Sequence, residues 1–391
     1  MAVTLSEIIP RSTHLSGNPI WVKATTTGAP AGATHYKILL KIISINNVLF
    51  GSPFVDGQEP NADNFAEFDI SGYVDQPLPV TFSYPMSGFV TGYADRIHVI
   101  HLQSGESYID ADGNRQVNWF DIVQPIVILS GKIDEHELTG YNDKNSDWFT
   151  EWVGAAKFLT RLPDEQKVHP NQPVKLWIKT HLISLATATF SINAYYSDGY
   201  VELHTFQVTL FGDHIFEANL QPYLLGIPLV IENGSKLLKY NVYWSADSIV
   251  SPLKTFVLDW QHKDFCNYLF FLNPIGGIDC IWLSGGSEPG HNTTSVQSKS
   301  QPPKGAKQKD HSMQVSKNSR MTWKINTGYK SREEVEALID LFSSEKVWLL
   351  HDAETLDNAE LYPVIIQNAE DILASWDSDI HSLDLDLIIA H

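Results

Sequence analysis

Apolar and polar positions alternate along most of this chain in short runs broken by Gly, Pro, Asn and Asp. FAEFDISGYV, over 65–74, sets Phe68 and Ile70 against Asp69 and Ser71. That period of two predicts a strand with one buried face. Further strands are expected over 20–22, 36–45, 96–102 and 116–129, giving a first β-sandwich over 1–130. Residues 131–165 read as a connector. Trp148, Phe149, Trp152 and Val153 follow Ser146 at helical spacing, so it carries a short helix.

A second β-sandwich is expected over 166–286. Pro173 opens a strand over 174–178. Ser197-Asp198-Gly199 joins 187–196 to 200–210, and Asn233-Gly234 joins 229–232 to 237–244, both with hairpin turn residues. FCNYLFFLNPIGGIDCIWLSGG closes the region, with Asn273-Pro274-Ile275-Gly276-Gly277 between two apolar runs. A symmetric hairpin sets Leu272 opposite Ile278, Phe270 opposite Cys280 and Tyr268 opposite Trp282. Both faces are then apolar and need cover.

An internal similarity runs through these regions. NPIWVK at 18–23 matches QPVKLWIK at 172–179 when shifted by 154 positions (Pro19 onto Pro173). FAEFDISGYV matches IFEANLQPYL at 215–224 when shifted by 150 (Tyr73 onto Tyr223). Two copies of one sandwich and chance similarity of β-rich segments both account for this.

The last region, 321–391, mixes helix and strand. Ser331 and Glu334 form a capping box ahead of an apolar stripe of Val335, Leu338, Ile339 and Phe342. Strands are expected over 322–326, 347–350, 364–367 and 382–390. In the last, Leu383, Leu385, Leu387 and Ile389 alternate with Asp384 and Asp386. The fold expected is mainly β: two tandem β-sandwich domains and a small α+β domain.

Composition changes the picture at one place. Residues 287–320 hold no Phe, Trp or Tyr, and pair six basic residues (Lys299, Lys304, Lys307, Lys309, Lys317, Arg320) with two acidic ones. This reads as a basic extended linker, ordered as a strap on an adjacent chain, with those six residues as the assembly interface. The whole chain carries −19, so the remaining residues carry −23. Such a surface repels phosphate backbones and anionic lipid, and neither nucleic acid nor membrane is expected as a partner.

The sequence carries no catalytic pattern. HExxH, CxxC, GxSxG, P-loop and dinucleotide-binding motifs are all missing from the sequence. No metal or cofactor is expected, and the chain is not expected to be an enzyme. Asp110-Ala111-Asp112-Gly113-Asn114 reads as a hairpin turn, because a calcium loop needs Gly at its sixth position and Glu at its twelfth. Asp377 and Asp379 read as edge-strand charges. Cys266 and Cys280 sit about 13 Å apart along the hairpin register, beyond disulfide reach, so both are expected as buried thiols. The start, MAVTLSEIIPRS, has no basic and apolar signal pattern, so the two glycosylation-like triplets at Asn233 and Asn292 are discounted.

Five stretches carry a resemblance. FAEFDISGYV, KFLTRLPDEQKVHPNQPVKLWI at 157–178, KINTGYKSREEVEALIDLFSSEKVWLL at 324–350 and YPVII at 362–366, in that order, together with the FLN–Gly-Gly hairpin (with Ile278 where an aromatic is usual), resemble a family of tail-associated structural proteins of Bacteroidetes bacteriophages and prophages. The resemblance implies fibronectin-like tandem β-domains and a virion structural protein of the tail, tail tip or baseplate, assembled in the bacterial host cytoplasm. Its partners would be copies of itself and other virion proteins. It brings no catalytic residues. Two other readings stand beside it: a carbohydrate-binding or adhesin module, with a host-surface glycan as partner, and a polysaccharide-degrading enzyme.

Overall fold

The alternating runs become strands. The computed structural model describes residues 3–7, 13–44, 52–75, 89–93, 96–122, 125–134, 137, 149–180, 186–210, 214–246, 249–261, 266–300, 311–351, 360–368 and 380–390. First come β1 (Val3–Glu7), β2 (Thr13–Leu15), β3 (Trp21–Thr26), β4 (Thr34–Ser44), β5 (Phe54–Gln58), β6 (Phe65–Asp69), a helical turn α1 (Ser71–Val74), β7 (Val90–Tyr93), β8 (Ile97–Ile109), β9 (Arg115–Ile122) and β10 (Ile126–Leu129). A short π-helix over Phe149–Gly154 precedes β11 (Glu165–Val168), β12 (Lys175–Lys179), β13 (Ala186–Tyr196), β14 (Val201–Leu210), β15 (Ile215–Asn219), β16 (Leu237–Ala246), β17 (Ile249–Val250) and β18 (Lys254–Leu258). The chain ends with β19 (Asn267–Leu272), β20 (Ile278–Leu283), β21 (Ser287–Ser300), β22 (His311–Ser331), α2 (Arg332–Ser343), β23 (Val347–His351), β24 (Glu360–Ile366) and β25 (Ile380–Ile389). The fold is mainly β, in several sheets.

Two compact units result. One holds Met1–Glu165, Pro173–Val257 and Asn273–Ile278; the other holds Gln166–Gln172, Leu258–Leu272 and Asp279–His391. In the first unit, sheets β1-β3-β6 and β2-β10-β8-β4-β5 share one core. Val22, Ala24, Ala66 and Phe68 face Ile38, Leu40, Ile42, Ile100 and Ile128 across it. The alternation read from FAEFD survives as β6, but Ser71 onward turns into α1 rather than continuing the strand.

A second pair of sheets follows, β12-β15-β7 and β11-β18-β16-β13-β14. Its five-strand path repeats the first: β2, β10, β8, β4 and β5 correspond in order to β11, β18, β16, β13 and β14. The register repeats as well. Trp21 lies opposite Asp69, and the residues 154 and 150 positions on, Lys175 and Asn219, lie opposite each other. The two matched motifs are therefore partner strands in both places.

Segment boundaries depart from the sequence reading in three ways. First, β7 belongs to the stretch assigned to the first sandwich but pairs with β15 of the second. Phe89, just before it, packs on Phe190 and Phe206 with ring centroids 5.1 and 4.7 Å away. Gly92 admits the Phe216 ring, which a Cβ would meet at 3.2 Å. Second, the FLN hairpin does not close the second sandwich. β19 pairs with β23, placing it in a seven-stranded sheet, β20-β19-β23-β24-β25-β22-β21. The turn bond from the Asn273 N–H to the Gly277 carbonyl (2.9 Å) is the one the symmetric register requires. Nearly every residue of both strands is buried. Third, residues 287–300 and 311–320 are strands rather than a linker. Backbone pairing needs no apolar side chain, so composition could not report it.

Smaller differences follow the same logic. Gly234 turns with φ +85°, yet its leading arm makes only a Val230–Lys236 bridge. The capping box of α2 forms: Ser331 Oγ accepts from the Glu334 N–H, and Glu334 accepts from the Ser331 N–H at 2.9 Å. Its buried stripe is Val335, Leu338 and Leu341, while Ile339 is 41% exposed. The stripe is rotated from the predicted one, because three-residue spacing won over four.

Candidate functional site

Lys299, Lys317 and Arg320 lie on β21 and β22, which pair from Ser287–Ile325 to Ser300–His311. Lys304, Lys307 and Lys309 lie outside the described residues. β25 joins β22 only from Thr322 onward. Ten rungs, from His291–Met321 to Ser300–His311, therefore have no third strand among the described residues. At about 3.3 Å per residue this two-stranded arm runs roughly 30 Å past its sheet. Lys299 stands opposite Ser312, Lys317 opposite Ser295 and Arg320 opposite Asn292. The register skips Val315, a bulge that adds local twist. Arg320 is exposed.

A second polar cluster lies inside the first unit, and nothing in the sequence reading anticipates it. On β12 and β15, Lys175 Nζ sits 3.1 Å from Glu217 Oε1, with both side chains 1% exposed. Arg96, also buried, stacks over Trp177 with Cζ 4.4 Å from the ring centroid. Arg96 Nη2 donates to the Gly276 carbonyl, and Trp177 Nε1 donates to the Ile278 carbonyl at 2.8 Å. Burial pushes the Glu217 carboxyl above the usual carboxylate range, against the opposing pull of Lys175 and Arg96.

Arg96 holds the Asn273–Gly277 turn at the Gly276 carbonyl, and Trp177 holds the residue that follows it. Asn273 Nδ2 donates to the Leu159 carbonyl at 2.8 Å, and its Oδ1 accepts from the Ile275 and Gly277 N–H groups. Gly276 has φ +86°, and a Cβ there would meet Leu129 at 2.7 Å. A Cβ on Gly277 would stand 1.9 Å from the Leu159 carbonyl oxygen. Only glycine fits either position. The Arg96 charge of this joint positions a backbone. The one signal that could have found it is the internal similarity, which places Trp177 opposite Glu217 by register.

The remaining candidates resolve simply. Asp110 accepts from the Asp112 and Asn114 N–H groups and from Gln116 Nε2. Those bonds, the one from Gln116 foremost, hold its carboxyl below the usual range, and Gly113 turns with φ +83°. The carboxylate closes the β8–β9 hairpin. Asp377 and Asp379 lie outside the described residues. Both cysteines are buried thiols. In the second unit, Cys266 Sγ lies 4.0 Å from His169 Nε2, and His169 Nδ1 lies 3.2 Å from Tyr268 Oη. Among the described residues, no group of three or more His, Cys, Asp or Glu is placed to hold a metal ion. In comparisons with known proteins, the chain matches no family model and no curated protein.

Proposed function

We propose that this chain is a bacteriophage virion structural protein, of the tail, tail tip or baseplate, that works by protein–protein assembly. In this reading the two repeated sheet pairs are tandem fibronectin-like sandwiches, and the seven-stranded sheet with α2 is the α+β part. Its partners are copies of itself and other virion proteins. The observation that carries the reading is the two-stranded arm. A ribbon that leaves its sheet for ten rungs offers backbone edges to a neighbour, which suits assembly. The five-part resemblance to phage tail proteins names the kind of assembly.

The test is composition. Particles purified from an induced culture of the bacterium carrying the gene should contain this chain at a fixed ratio to the other particle proteins, by quantitative mass spectrometry. Immunogold label should sit on tails. Particles with their other structural proteins present and this chain lacking would end the proposal.

A further inference from the structure

We propose that the arm formed by residues 291–300 and 311–320 lies on the acidic body of a second copy of this chain. Copies would then join head to tail, into a ring or filament, rather than as a closed dimer. This rests on the assembly reading above and adds the partner and the symmetry of the contact.

Within one copy, no described strand covers the arm. Its apolar residues are Val296, Met313 and Val315, and it has no aromatic one. A two-stranded ribbon without a third strand or an apolar face is marginal in water. Among the described residues, β21 is an edge along its whole length, and β22 is an edge from His311 to Met321. Open edges of this length recruit another chain unless something covers them.

Charge selects the cover. The two described strands of the arm carry Lys299, Lys317 and Arg320 and no Asp or Glu, a charge of +3. The rest of the chain then carries −22 (−19 − 3). A two-fold contact between arms would bring the basic residues of one arm within a few positions of those of the other. Like charges facing each other across strands are unfavourable. An arm on the acidic body sets opposite signs together. That contact uses two different surfaces. Repeated from copy to copy it is heterologous and closes as a ring or runs on as a filament, whereas a reciprocal exchange of arms stops at a dimer.

The experiment uses the full chain and the charge-reversed variant Lys299→Glu/Lys317→Glu/Arg320→Glu, compared by sedimentation velocity and mass photometry. At low salt the wild-type chain should form species larger than dimers, and high salt should weaken them at least tenfold. The variant should remain monomeric with an unchanged melting temperature. It keeps the acidic body but cannot donate an arm, so it should cap growing chains. One variant per wild-type copy should cut the mean assembly to about two copies. If the reversed variant does not fold, Lys299→Ser/Lys317→Ser/Arg320→Ser replaces it, with the same capping expected. Wild-type dimers and nothing larger would overturn the head-to-tail contact. So would a variant that assembles like the wild type, or a wild-type chain that stays monomeric at low salt. Tighter binding of a labelled DNA duplex than of a second copy would reassign the arm to a polyanion. None of these outcomes alters whether the chain is found in purified particles, so the two proposals fail separately.

Discussion

Strands β3 and β6 obey the same register as β12 and β15, yet their outer faces meet opposite environments. In the first pair Trp21 is 42% exposed and Glu67 is exposed. In the second pair the aligned residues, Lys175 and Glu217, are buried, as are Trp177 and Lys179. The inner faces do not differ in kind: Val22, Ala24, Ala66 and Phe68 correspond to Leu176, Ile178, Phe216 and Ala218, all buried. The difference lies in what covers the outside. Arg96 and the Asn273–Gly277 turn close over the second pair, and burial there turns a surface alternation into an ion pair and a stacked guanidinium. A strand pair buried on one face tolerates charge on the other; one buried on both must satisfy every polar group internally.

The comparison breaks most sharply at Trp177. Trp177→Ala should cost about 4 kcal/mol, through the lost ring volume and the orphaned Ile278 carbonyl. The aligned Lys23→Ala should cost less than about 1 kcal/mol, since Lys23 only lies over the Phe65 ring at 3.8 Å. Urea unfolding of the two variants measures the gap, and equal midpoint shifts would dissolve the contrast.

Lys175→Met comes next, at about 3 kcal/mol at neutral pH, because it leaves the Glu217 carboxylate buried without its ion-pair partner. The folded-state pKa of Glu217 lies above its unfolded value, so its contribution is fully present below the unfolded pKa. It is lost as pH rises through the folded value. Removing Lys175 raises that value further, so the variant's deficit should shrink in acid as Glu217 takes up a proton. A deficit that grew on acidification would mean that Glu217 is not the group left bare.

Gly277→Ala should also cost about 3 kcal/mol, because the Leu159 backbone has to move. Thermal melting would show it, and a variant as stable as the wild type would mean that the turn is held less tightly than its contacts imply. The smallest effect belongs to Trp21→Ala, within about 0.5 kcal/mol on an exposed strand face. A large loss there would show that the first pair's outer face is covered in solution, for which self-association of the chain is the direct check.

Much of this was legible in residue order. Period-two alternation marked most strands, because one face of each meets a core and the other meets water. Ser331 and Glu334 announced the start of α2 through a local three-residue geometry. The paired shifts of 154 and 150 carried a register, since two strands matched to two strands must keep their pairing. The symmetric turn set the Asn273–Gly277 bond and kept the cysteines out of disulfide reach.

Other features were decided only in three dimensions. KLWIK reads as an amphipathic strand, and nothing within it says that residues 79 positions before Lys175 and about 100 after it will bury its charged side. The FLN hairpin is apolar on both faces, which demands cover but does not choose the sheet; β23, some 80 residues on, supplied it. Residues 287–300 and 311–320 lack the side chains that make a core and still form a ladder, because its bonds come from the backbone every residue shares. Local pattern sets which side of an element avoids water, while the identity of the cover depends on contacts between residues far apart in the chain.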